Sequence, residues 1–278
     1  MQSTTDTQDY DFESPEGVRP PGFHLRALEA RAPYEALSSL ALWPLLQTGP
    51  RGDGHAVLVL PGLVAHDSST RMLRNFLIQR GFAAHGWGQG INFGPRPHVV
   101  EACVERIRFL FRQSGGRKVS LVGQSLGGIY ARVLAGLVED SVRCVITLGS
   151  PITGSASASN ARRLYQAVSG RHAHHPAYSA LLTRAPQVPT TSIWSRSDGV
   201  VAWQASVMGE HPLAENIEVQ ASHTGMALHP AVLHAVGDRL AQPEGQWKPF
   251  RRDGLLQRIY GDTQRLRESA AASEDRQL

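Results

Sequence analysis

The sequence predicts an α/β fold: a mostly parallel central sheet with helices on both faces. Three observations carry that expectation. Short continuous apolar runs, such as Ala-Val-Leu-Val-Leu at 56–60, read as strands buried on both faces. Amphipathic helical segments alternate with these runs, residues 99–112 being the clearest. The joining loops are short, as right-handed strand–helix–strand units require. With 278 residues, 41% apolar and 19% charged, the chain can bury the core of one large domain.

The elements follow in chain order. Residues 1–24 are polar and acidic and carry Pro15, Pro20 and Pro21, so they read as a flexible arm. From 25 to 47, Leu25, Leu28, Leu37, Leu40, Leu42 and Leu45 suggest one or two short helices packed on the body, the alternative being a weak interfacial contact. The run 55–60 is the first strand, closed by Pro61-Gly62. Asp67, Ser68 and Ser69 offer a helix cap, Met72, Leu73, Phe76 and Leu77 recur at helical spacing, and Gly81 ends that helix. Phe82–Trp87 is the second strand candidate. In the helix at 99–112, Val100, Cys103, Val104, Ile107, Leu110 and Phe111 share one face, and Gly115-Gly116 stops it. Residues 118–122 are a third strand, 126–138 a helix with Ile129, Val133 and Leu137 inward, and 142–148 a fourth strand. Residues 151–188 lack strand signal and read as an insertion. The sheet pattern resumes at 190–195 and 217–219, and a helix follows from about 226 to 240. The main domain therefore runs 25–240. The charged extension 241–278 places Leu255, Leu256, Ile259 and Leu266 on one helical face, for docking on the body or for self-association.

Composition narrows the function. A net charge of +4 gives a weak preference for anions without the basic density of a nucleic-acid binder. Cys103 and Cys144 are too few for a disulfide framework or a four-ligand zinc site. No run of 18 apolar residues suggests a membrane-spanning helix. Residues 1–18 hold Asp6, Asp9, Asp11, Glu13 and Glu16 and no Lys or Arg, unlike a secretory signal, so a cytoplasmic location is the expectation. The cluster His172, His174 and His175 has no carboxylate or Cys nearby in sequence and reads as a solvated basic loop, not a metal site.

The chemistry converges on Gly123-Gln-Ser-Leu-Gly127, a G-x-S-x-G motif with an apolar strand running in and an apolar helix running out. A serine at such a junction sits on a strained turn with its hydroxyl above the sheet. Side chains at 123 and 127 would clash where strand meets helix, and Gly128 lets the helix lie close to its neighbours. Serine needs a base, and the base an orienting carboxylate. Asp198 follows the strand at 190–195, and His223 follows the strand at 217–219, giving the chain order Ser125, Asp198, His223. Asp140 is the fallback acid; His229 and His234 are the rival bases, the first preceding Pro230 and the second inside a helical run. Two backbone N–H groups should hold the oxyanion, one from Leu126 and one from Leu63 in the loop Leu60-Pro-Gly-Leu63. Trp87 and Trp203 are candidates for the pocket wall, with core packing an equal alternative.

Together with Gly149-Ser-Pro151, Ser197-Asp-Gly-Val-Val201 and Ser222-His-Thr-Gly225, these motifs resemble the α/β-hydrolase superfamily, within it the lipase and esterase branch, over residues 52–240. Gln124 and Pro61-Gly62 stand where that branch often has His and His-Gly, which weakens a claim of triglyceride lipase activity. The resemblance implies that 151–188 is a lid or cap. Arg162, Arg163, Arg171 and Arg184 then form its wet face or attract anionic substrate. It implies cofactor-independent cleavage of a small-molecule or lipid ester through an acyl-enzyme, with acyl transfer or non-catalytic binding on the same fold as alternatives.

Overall fold

The computed structural model describes residues 18–94, 96–153, 159–160 and 187–262. Most of the predicted cap and its arginines, the histidine cluster, and Leu266 lie outside these residues. Six strands form one sheet: β1 (Ala56–Leu60), β2 (Ala83–Gly86), β3 (Val119–Gln124), β4 (Val142–Leu148), β5 (Thr190–Trp194) and β6 (Ala214–Glu218). Their order is β2-β1-β3-β4-β5-β6, and every pairing is parallel. All strand C-termini therefore point to one edge. Side chains alternate across the sheet, so Val57 and Val59 join one core with Val122, Ile146 and Ile193, while Leu58 and Leu60 join the other with Leu121 and Val145.

Helices cover both faces. α4 (Arg71–Gln79) and α7 (Pro230–Leu240) close the first core through Leu73, Phe76, Leu77, Val232, Leu233 and Val236. On the opposite face α5 (Pro97–Gln113) and α6 (Leu126–Leu137) contribute Val100, Cys103, Ile107, Tyr130 and Leu134. Burial of each such side chain contributes about 1.5–3 kcal/mol relative to exposure. In α6, Val133 is buried and Ile129 packs on the second core as predicted, alongside buried Leu126, Tyr130, Ala131 and Leu134, whereas Leu137 in the last turn is exposed. The helix predicted from 226 begins instead at Pro230, preceded by a 3₁₀ turn at Met226–Leu228, since proline disfavours helical backbone in the residue before it.

Among the described residues, three short helices precede the sheet: α1 (Phe23–Leu28), α2 (Ala32–Ala41) and α3 (Trp43–Leu46). Docking starts before them, as Val18 packs on Val201, Ala202 and Ala205, and the Pro21 carbonyl accepts from Asn160 Nδ2. α2 reverses the predicted facing. Ala32, Glu35 and Ser39 are buried, whereas Tyr34, Leu37 and Leu40 are exposed, and Leu42 and Leu45 beyond them also face outward. The polar face turns inward because loop N–H and O–H groups wait for it there. Beyond α7 the chain folds back on the body: Phe250, Leu256 and Tyr260 pack on the first core, and the Tyr260 hydroxyl donates to the Ala231 carbonyl at 2.8 Å. The last helix among the described residues is α8 (Leu256–Ile259), with Leu255 and Ile259 exposed.

Candidate active site

Ser125 occupies the turn between β3 and α6 with φ 53° and ψ −120°, a backbone conformation that costs a non-glycine residue roughly 1–3 kcal/mol. The surrounding glycines make the turn possible. A Cβ on Gly123 would stand 2.1 Å from the Gly127 carbonyl oxygen, one on Gly127 would stand 2.2 Å from that of Leu60, and one on Gly128 would meet Ser150 Oγ at 2.0 Å. The Ser125 N–H donates to the Leu148 carbonyl at 2.8 Å, tying the turn to the end of β4.

The residue after that strand end, Gly149, lies against a buried acid–base pair. A Cβ there would stand 3.0 Å from Asp198 Oδ2 and 3.2 Å from His223 Nδ1. These two atoms are 2.7 Å apart. Asp198 follows β5, and its other oxygen accepts from the Val200 and Val201 N–H groups at 2.8 and 2.7 Å, which fixes the carboxylate for the imidazole. Burial alone would depress the His223 pKa; the Asp198 charge and hydrogen bond, with a further contribution from Glu29, outweigh it and hold the pKa above the ordinary imidazole value. No hydrogen bond joins Ser125 Oγ to His223 Nε2 in this structure. The nucleophile turn and the base loop are bridged instead by Gln124, whose Nε2 donates to the His223 carbonyl at 3.0 Å.

The loop after β1 lies on the serine: a Cβ on Gly62 would stand 3.4 Å from Ser125 Cβ. Among the described residues no acceptor takes the Leu63 N–H or the Leu126 N–H. The loop is held by Asn92, which is fully buried. Its Nδ2 donates to the Pro61 carbonyl at 2.8 Å, and its Oδ1 accepts from the Gly94 N–H at 3.1 Å. Its backbone accepts from the Val64 N–H at 2.7 Å and donates to the Ala65 carbonyl at 2.9 Å. Val64 itself is held at φ 55°, which is strained for a β-branched residue.

The remaining candidates make the following contacts. Trp87 is buried in the second core, edge-on to Tyr130, with its indole N–H on the Gly90 carbonyl, so it serves packing. Trp203 stacks on Trp194 at 5.0 Å beneath the Arg196 guanidinium. Asp140 lies in the 3₁₀ turn Glu139–Ser141 at the far end of α6. His229 caps α7 by accepting from the Ala231 N–H, and His234 pairs with the Tyr260 hydroxyl. Asp67 does not cap a helix. His66 accepts from the Ser68 N–H, and the Asp67 carboxylate accepts from Trp87 and Gly88 N–H groups at 2.9 and 3.1 Å. Among the described residues, no cluster of metal-ligating side chains occurs and no helix is long and apolar enough to cross a membrane.

Sequence reasoning missed three side chains that organise the two loops. Glu29 accepts from the Gly199, His223 and Thr224 N–H groups, each at 2.8 Å. Glu35 accepts from the Ser222 N–H at 2.7 Å and from the Ser222 hydroxyl. Arg31 donates to Ser197 Oγ at 2.6 Å and to Glu35 at 3.0 Å.

Comparison with known proteins agrees with this architecture. The family model of the PGAP1-like alpha/beta domain matches residues 93–181, which include Ser125 but end before Asp198 and His223. No curated protein matches in sequence. Among solved structures, Aspergillus fumigatus lipase B aligns with TM-score 0.54 and 16% identity over 69% of this chain; the chain spans about half (53%) of that protein. A structure reported for LipS and LipT, two metagenome-derived lipolytic enzymes, aligns with TM-score 0.51 and 15% identity over 67% of this chain and 93% of the other. Identities this low speak for the fold. Sheet order, serine turn and these likenesses agree that the chain has the α/β-hydrolase fold.

Proposed function

We propose that the protein is a serine hydrolase of carboxylic esters acting through an acyl-enzyme. The observation that carries this reading is the strained Ser125 beside a buried imidazole–carboxylate pair of 2.7 Å. Asp198 accepts the Nδ1 proton of His223, leaving Nε2 as the base. Rotation of the Ser125 side chain closes the relay, as hydrogen bonds of this kind often tighten only with substrate bound. Ser125 Oγ attacks the ester carbonyl, and His223 takes its proton and delivers it to the leaving alcohol. Water, deprotonated by His223, then releases the acid and restores the serine.

The Leu63 and Leu126 N–H groups, both without an acceptor among the described residues and both close to Ser125 in the fold, are suited to the oxyanion. One such donor contributes roughly 2.7–4 kcal/mol of transition-state stabilisation. The lipolytic names of the two solved relatives point the same way, toward a small-molecule or lipid ester. Ser125→Ala tests the reading: turnover of p-nitrophenyl esters and labelling by a fluorophosphonate probe should both vanish while the fold is kept. Retained turnover would remove Ser125 from its role.

A further inference from the structure

Three consecutive N–H groups of the base loop, at Ser222, His223 and Thr224, all donate to glutamate side chains of the N-terminal helical segment. One carboxylate, Glu29, also takes the N–H of Gly199, the residue after Asp198. A single side chain thus bridges the loop of the acid to the loop of the base. Arg31 and Glu35 continue the arrangement, fastening Ser197 on one loop and Ser222 on the other.

Simple anchoring of a helix does not account for these contacts. A helix that only docks buries its leucines, and α2 leaves Leu37 and Leu40 outside while Glu35 and Ser39 go in. Burial of the Glu29 carboxylate opposes its ionisation, yet the three N–H donors outweigh that and keep its pKa below the ordinary value. The site therefore holds a fixed negative charge next to the imidazole. The charged groups facing His223 are Asp198 from the loop after β5 and Glu29 from the turn before α2, with the Arg31–Glu35 pair beyond Ser222.

Resting on the hydrolase reading above, we propose that Glu29 is a positioning residue of the site: its carboxylate locks the acid and base loops in register and favours the imidazolium that His223 becomes during acyl transfer. The N-terminal helical segment is accordingly part of the catalytic apparatus. A displacement of the imidazole by about 1 Å can cost 100-fold in rate, so the lock acts chiefly on kcat.

The test uses the full chain. Titration of His223 by NMR is compared in the wild type, Glu29→Gln and Glu29→Asp, with p-nitrophenyl acetate kinetics in parallel. Glu29→Gln removes the charge at nearly constant shape. The His223 titration should move to lower pH, the acid limb of the kcat/KM profile should follow it, and kcat should fall about 10- to 100-fold with little change in KM. Glu29→Asp keeps the charge but shortens the reach, so the titration should stay near that of the wild type while kcat falls. A folded Glu29→Gln protein with unchanged titration and kcat overturns the proposal. If that variant lacks a cooperative melt, full kcat in Glu29→Asp overturns it. Because the titration needs no turnover, a shifted midpoint in a protein inert to esters and fluorophosphonate would sink the hydrolase reading and leave the lock standing.

Discussion

Asn92 offers a sharp test of how the loop beside Ser125 is held. Its side chain is sealed from solvent and spans from the Pro61 carbonyl to the Gly94 N–H. Replacing it by alanine removes both bonds and leaves the Pro61 carbonyl without its donor. Two net hydrogen bonds at about 1 kcal/mol each, plus the desolvation cost of an abandoned buried acceptor, give a loss of roughly 2–4 kcal/mol. In a chain of this size the melting temperature should fall by about 5–10 °C. The Asn92 backbone carbonyl also accepts from the N–H of Val64, which is held at φ 55°. If loss of the side-chain bonds lets the Pro61–Val64 loop relax, the Leu63 N–H proposed for the oxyanion moves away from the serine, and loss of one such donor lowers kcat by about 10²–10³. Asn92→Asp should be worse than alanine, since it sets a carboxylate against the Pro61 carbonyl while keeping the acceptor for Gly94. Thermal melts and p-nitrophenyl acetate kinetics measure both effects. An Asn92→Ala protein melting within about 2 °C of the wild type, with kcat within about threefold, would refute the strap.

Two further substitutions address the acid–base pair and a look-alike. Gly149→Ala places a methyl 3.0 Å from Asp198 Oδ2 and 3.2 Å from His223 Nδ1 at a positive φ; kcat should fall at least about tenfold with a destabilisation of about 1–3 kcal/mol, read by kinetics and urea melts. At the opposite sheet edge, buried His55 links Asp53 at 2.6 Å and Ser120 at 2.8 Å, a second Ser–His–Asp relay. Its serine and imidazole are sealed in the fold while Asp53 is exposed, so Ser120→Ala should keep full ester turnover while unfolding becomes about 1–3 kcal/mol easier; lost turnover in a folded Ser120→Ala protein would give that relay a part in the reaction.

Much of the fold is legible in the sequence because a parallel sheet buried on both faces writes each strand as an unbroken apolar run. β1 announces itself in this way, β3 and β4 do so with single polar interruptions, and β5 (Thr-Thr-Ser-Ile-Trp) reads by its β-branched and aromatic residues; the serine turn is marked by glycines where an added Cβ would meet atoms at 2.0–2.2 Å. Asp198 and His223 are legible for a related reason: each follows a strand whose C-terminal end must lie at the edge where Ser125 lies. The second tier leaves no such trace. Glu29 and Glu35 look like ordinary exposed helix residues, and nothing in a 3.6-residue period reveals that α2 is turned with its leucines outward. Asn92 lies in a glycine- and proline-rich loop, where asparagine is expected for turn reasons alone. Asp67 reads as a cap from its neighbours and serves instead the loop after β2, a contact 20 residues away. Such roles depend on partners that only the folded chain brings near.

The contacts of Glu35 and Glu29 with the base loop span 187 to 195 positions. During synthesis the N-terminal helices emerge first, yet the groups they bind do not exist until residue 224 has been made. Closing so long a loop is entropically costly, so these bonds belong to the latest stage of assembly, after the sheet has formed. A newly made chain would pass through a form with its sheet complete and its imidazole still untethered. Pulse-labelled hydrogen exchange should find the 222–224 amides protected after those of the central strands. On the proposed hydrolase reading, full competence would arrive only once the chain through residue 224 has been made.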